Sequence, residues 1–82
     1  MKRKPNLPWR KIDDEGIILS AGKDEAHIVN DTAIMIWEML DGSYDLEDIS
    51  GALCDRYGID KETARNDVLE FVGQLRQRGL ME

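Results

Sequence analysis

The sequence predicts an α+β domain of winged-helix-like layout, in which a three-stranded antiparallel sheet is followed by three helices. Two observations predict this fold. Short apolar runs rich in β-branched residues alternate with turn residues in the first third of the chain, as strands do. From Asn30 onward, apolar residues recur three and four positions apart, which is the spacing of one helix face. Helices of this kind can cover one face of the sheet.

The chain has 82 residues, which corresponds to one domain by length. We expect residues 1–8 to form a flexible N-terminal arm. Met1–Lys4 is basic, but Pro5–Pro8 follows where a signal peptide would have an apolar stretch. Residues 9–82 then form a single domain.

Three short strands are expected near the N-terminus. The candidates are Trp9–Ile12, Ile17–Leu19 and Ala26–Val29. The first turn, Asp13–Gly16, ends in a glycine that can take a positive φ, and Gly22–Asp24 supplies the second turn. Tight turns between consecutive strands indicate an antiparallel meander.

The first two helices have recognisable ends. Asn30 or Asp31 can cap the first helix through a side-chain oxygen, and Asp41–Gly42 ends it. The second helix starts near Asp45 and is expected to stop at Gly58. One face of the first helix is apolar and comprises Ala33, Ile36, Trp37 and Leu40.

The third helix has the clearest signals. Asp60 is the expected N-cap, Gly79 suits a left-handed C-terminal cap, and Leu80 can fold back on Leu75. Its predicted core stripe is Ala64, Val68, Phe71 and Leu75. Gly73, inside this helix, costs about 0.5–1 kcal/mol relative to alanine.

The sequence contains no recognisable catalytic or metal-binding set. His27 is the one histidine and Cys54 the one cysteine, and they fall in different elements without a third partner. We interpret His27 as an edge-strand surface residue and Cys54 as a small hydrophobe. The acids at Asp13–Glu15 are typical of a solvated turn. We therefore expect no catalysis, no metal and no cofactor.

Charge and cysteine content limit the possible partners. The net charge of −6 opposes binding to nucleic acid, which depends on neutralising phosphates. A single cysteine favours a reducing cytoplasm over a secreted, disulfide-bonded domain. No apolar run approaches the ~20 residues that span a membrane. The oligomeric state is left open.

Two features favour a binding role. On the third helix, Leu69 and Val72 are flanked by Arg65 and Arg76, so this second stripe could give a partner apolar contacts and pair with its carboxylates. Alternatively, the apolar pair widens the core face and the arginines are solvated. The third strand is an outer strand that could accept a peptide as an extra strand. Its candidate residues are Glu25, Ala26, His27, Ile28 and Val29.

Several segments resemble one family in order and spacing. These are Val29–Ala33, Ile36–Gly42, Leu46–Ile49, Tyr57–Ile59 and a closing pattern of Asp67, Val68, Phe71, Leu75, Gly79 and Leu80. Together they are similar to the PqqD-like family, named for the D protein of pyrroloquinoline quinone biosynthesis. The resemblance covers roughly residues 9 to 81.

The resemblance implies a winged-helix-type domain that binds the leader of a ribosomally synthesised precursor peptide. Such a domain presents the peptide to a modifying enzyme, often a radical S-adenosylmethionine enzyme. The leader would pair with the third strand and lie against the last helix. On this chain, the groove would lie between Glu25–Val29 and the stripe formed by Arg65, Leu69, Val72 and Arg76. A DNA-binding winged-helix module and a structural subunit of an enzyme complex are the alternatives.

Overall fold

The computed structural model describes residues 1–20 and 25–82, and it confirms three strands followed by three helices. The elements are β1 Trp9–Ile12, β2 Glu15–Leu19, β3 Ala26–Asn30, α1 Asp31–Met39, α2 Leu46–Tyr57 and α3 Lys61–Gln77. The strands pair antiparallel in the order β1-β2-β3, so β3 lies at an edge. The predicted turn at Gly22–Asp24 falls outside the described residues. None of the described helices is long and apolar enough to cross a membrane.

The role predicted for Gly16 is wrong. Asp13, not Gly16, takes the left-handed conformation in the first turn, with a φ of 51°. Gly16 lies inside β2, opposite Val29. A Cβ atom built there would lie 2.5 Å from Cδ1 of Ile34. The missing side chain therefore lets α1 pack directly on β2, and the turn uses an aspartate, which tolerates positive φ.

The three helices begin at the predicted caps. Asn30 Oδ1 accepts a hydrogen bond from the Ala33 N–H at 2.8 Å. Asp45 and Asp48 form a reciprocal capping box, in which each side chain accepts from the other residue's backbone N–H at 2.8 and 3.1 Å. Asp60 caps α3 in the same way as Asn30 caps α1. Each cap satisfies an N–H group that the helix itself leaves unpaired.

The C-terminal end of α3 is a Schellman motif. The Leu80 N–H donates to the Leu75 carbonyl at 2.9 Å, and the Gly79 N–H donates to the Arg76 carbonyl at 3.1 Å. Gly79 has a φ of 73°, which favours glycine. Both leucine side chains are buried, so the predicted return of Leu80 onto Leu75 is confirmed.

The core lies between the inner face of the sheet and the three helices. Trp37 is its largest fully buried side chain. On α3 the predicted core stripe is confirmed at Ala64, Val68 and Leu75, which are buried. Phe71 is half-buried and packs against the core, while its neighbour Val72 is fully buried. The other fully buried apolar side chains are Ile18, Ile34, Ile36, Leu40, Ile49, Leu53, Ala64, Val68 and Leu80.

Residues 1–8 contact the domain in this structure. The Arg3 N–H donates to the Leu40 carbonyl at 2.8 Å, and the Lys4 N–H donates to the Leu80 carbonyl at 3.0 Å. The Arg3 guanidinium also donates to the Trp37 carbonyl at 2.8 Å. The Leu7 side chain is buried. The segment thus closes over the end of α1, while its predicted flexibility stays a prediction.

Two glycine substitutions should have opposite effects on stability. We expect Gly16→Ala to lower the free energy of unfolding by about 1–3 kcal/mol, because its methyl group would overlap Ile34. Gly73→Ala should raise it by about 0.5–1 kcal/mol, because a Cβ there meets nothing within 4 Å and alanine favours the helix. Urea denaturation of both variants tests this. Equal effects would contradict the close approach of α1 to β2.

Candidate functional site

The edge of β3 exposes backbone hydrogen-bonding groups. The Ser20 N–H donates to the Glu25 carbonyl at 3.1 Å, just beyond the β2–β3 ladder. Bonded and non-bonded pairs alternate along an antiparallel ladder. His27 therefore pairs with β2, whereas Ala26 and Ile28 turn their N–H and C=O groups to the free edge. This edge could accept another extended chain.

The side chains of β3 alternate between two environments. His27 and Val29 face the helices, and His27 is only 9% exposed. Ile28 faces away and is 70% exposed. The prediction that His27 is a surface residue is therefore wrong, because strand alternation turns its ring toward α3.

A cleft runs between β3 and α3. Two adjoining depressions form it, with volumes of about 110 and 300 Å³. Phe71 and Gln74 line both, so the depressions are continuous along the helix. The β3–α3 cleft is lined by His27, Ile28, Val29 and Asn30 on the strand side, by Thr32, Ala33 and Ile36 on α1, by Asp67, Glu70, Phe71, Gln74, Leu75 and Arg78 on the α3 side, and by Ile18 and Leu80 at its base.

His27 and Arg78 are joined at one end of this cleft. Nη1 of Arg78 lies 2.8 Å from Nδ1 of His27. Because a guanidinium can only donate, Nδ1 is the acceptor and the imidazole proton lies on Nε2. Nε2 is buried and has no hydrogen-bond partner among the described residues. The ring of His27 is therefore oriented at this end of the cleft by Arg78.

The α3 residues that the sequence predicted for the groove do not line this cleft. Val72 is 1% exposed and belongs to the core. Arg65 faces α2, with its Nε 3.4 Å from Oε1 of Glu47. Leu69 is 50% exposed and lines a depression with Arg65. At 100° per residue, Leu69 points about 160° away from Phe71.

Arg76 is exposed in the last turn of α3 and does not line the cleft. The structure thus brings the β3 residues together with Phe71, Gln74 and Arg78 rather than with the predicted arginine-flanked stripe. Asp67, Phe71, Gln74 and Arg78 recur at helical spacing too, so the sequence held a signal for this face. Whether any of these residues contacts a peptide stays a prediction.

The other candidate chemical groups lie outside this cleft. Cys54 is a half-buried free thiol on α2. In residues 1–20 and 25–82, no three or more His, Cys, Asp or Glu side chains form a cluster that could hold a metal ion. In the loop after α1, a hydrogen bond from the Ser43 N–H lowers the pKa of the Asp41 carboxyl.

Comparisons with known proteins give one matching family and two solved structures of the same fold. The model of the family "Coenzyme PQQ synthesis protein D (PqqD)" matches residues 15–81. The structure of TbiB1 in complex with the TbiA(beta) leader peptide has a TM-score of 0.87 and 27% identity, over 100% of this chain and 95% of that one. Lasso peptide synthetase B1 complexed with the leader peptide has a TM-score of 0.83 and 23% identity, over 96% of this chain and 93% of that one. No curated protein matches the chain.

The hydrogen bond from Arg78 should fix the tautomer of His27. At about pH 8, where histidine is ordinarily neutral, we expect long-range proton–nitrogen spectra to show a protonated Nε2 and a bare Nδ1. The control is Arg78→Met, which removes the donor and should relax this preference. A protonated Nδ1 in the unsubstituted protein would contradict the contact.

Proposed function

The chain belongs to the coenzyme PQQ synthesis protein D (PqqD) family, and on that premise we propose that it recognises the leader of a ribosomally synthesised precursor peptide. The observation that carries the proposal is the free edge of β3 bordering the β3–α3 cleft. TbiB1, which shares this fold at 27% identity, is described in complex with a leader peptide. The leader of this chain's own precursor would occupy the corresponding edge.

The leader would bind as a fourth strand. Ala26 and Ile28 would exchange backbone hydrogen bonds with it, each contributing about 0.5–1.5 kcal/mol net. Main-chain bonding gives affinity without reading the sequence, and side-chain pockets give specificity. Alternate side chains of the leader would point into the cleft beside Phe71 and Gln74.

The domain would act without catalysis, as an adaptor. Its one histidine is bonded to Arg78, and its one cysteine lies on another element, so the two supply no nucleophile–base pair. We propose that it holds the leader while a separate modifying enzyme acts on the rest of the precursor. A radical S-adenosylmethionine enzyme stays the predicted partner class.

The proposed site keeps the predicted strand and replaces the predicted helix face. Glu25 to Val29 remain the strand side. On α3, contacts come from Phe71, Gln74 and Arg78, since Val72 is buried and Leu69 points away from β3. Arg65 and Arg76 lie outside this groove.

A proline at the exposed edge should separate strand addition from other modes of binding. Ile28→Pro removes an N–H that faces solvent, and edge strands tolerate proline where no ladder bond is lost. We expect it to weaken binding of a synthetic leader, from the precursor encoded beside the gene, by about tenfold. Isothermal titration calorimetry measures the change.

Two control variants sharpen this test. Ile28→Thr keeps the N–H and should bind within about threefold of the unsubstituted protein. Leu69→Asp changes the far side of α3 and should also leave affinity unchanged. Circular dichroism checks that each variant is folded. Amide shifts that avoid both residues 25–30 and residues 67–78 on titration would overturn the proposed site.

A further inference from the structure

The two ends of the β3–α3 cleft carry opposite charges. Asp67 and Glu70 line the end next to Asn30. Arg78 lines the other end, next to His27. Among the described residues, none of these three charged side chains is in a salt bridge. Their charges are therefore available to an occupant of the cleft.

We infer that the cleft selects the order of charges in its peptide, with a basic side chain about four residues ahead of an acidic one. The inference rests on the proposed function and adds what the peptide must contain. A basic side chain would lie against Asp67 and Glu70, and a carboxylate would lie against Arg78.

The spacing follows from the geometry of the two elements. Glu70 and Arg78 are eight positions apart on α3, which is about 12 Å along a helix. An extended peptide advances about 3.3 Å per residue, so it covers this distance in about four residues. Residues four apart in a strand point to the same face. Both charged side chains can therefore enter the cleft together.

The order follows from strand polarity. The sheet is antiparallel throughout, and an added antiparallel strand continues its pattern with the more favourable pairing. Such a peptide begins beside Asn30, where β3 ends, and finishes beside Ala26. It meets the acids of α3 first and Arg78 afterwards.

Arg78 is held ready for a carboxylate. Its Nη1 is fixed by Nδ1 of the buried His27 ring. A guanidinium has five N–H donors in a rigid fork, so donors remain for two-point pairing with a carboxylate.

Exposed charge pairs change affinity only modestly. Their main effect is to select which peptide binds and in which register it pairs with β3. The reversed order would place like charges together at both ends of the cleft. We expect two peptides of identical composition, with the basic and acidic residues exchanged, to differ about tenfold in dissociation constant.

The test is selection from a displayed library of random 12-residue peptides. We expect the pool selected on the unsubstituted protein to be enriched in Lys or Arg about four residues ahead of Asp or Glu. Peptides selected on the Arg78→Glu variant should no longer be enriched in Asp or Glu at the second position of the pattern. The matched control is Arg76→Glu, which makes the same charge change two residues away on an exposed side chain outside the cleft, and its pool should keep the pattern.

The outcomes distinguish the inference from the proposed function. The unsubstituted protein could enrich peptides over the Ile28→Pro variant without the basic-then-acidic pattern. That result would overturn the inference and leave strand addition intact. An acidic residue ahead of the basic one would also overturn it, since the peptide would then run parallel to β3. No enrichment over Ile28→Pro would contradict the proposed function itself.

Discussion

Asn30 connects the sheet to the helices without a loop, and the position of the cleft depends on this. It is the last residue of β3, paired with Glu15, and its side chain caps α1. The direction of α1 is therefore tied to the end of the edge strand. Ile34, in the first turn of α1, packs against Gly16 of the central strand. Since α1 covers the middle of the sheet, the outer edge of β3 stays open.

The α3 side of the cleft is held in place at the C-terminal end of the helix. The Schellman motif at Gly79 returns the chain to the core at Leu80. The Lys4 N–H then bonds to the Leu80 carbonyl, which ties the N-terminal segment to this return. Arg78 precedes the turn and contacts His27 on β3. A cleft between elements held in this way needs little ordering when a peptide binds, which favours affinity.

The ends of the helices depend on local chemistry and were therefore predictable from the sequence. Helix caps act on neighbouring backbone groups, so the sequence indicated Asp60 for α3 and either Asn30 or Asp31 for α1, and the order of the strands indicated β3 as an edge. The face of α3 that meets β3 could not be predicted in this way. Phe71 and Val72 both continue an apolar helical pattern, and only the packing of the sheet and α2 decides which is buried. Gly16 has the same ambiguity, because glycine is favoured both in a turn with positive φ and where a helix packs closely on a strand.

An open edge strand is also a hazard, because it can pair with another copy of the same chain. The net charge of −6 counters this, since two copies repel each other at close range. Glu25, exposed immediately before β3, adds negative charge next to the edge. A short peptide carrying a basic residue meets no such repulsion near Asp67 and Glu70. The same acidity that discourages self-association therefore favours a peptide of complementary charge on the edge that β3 exposes.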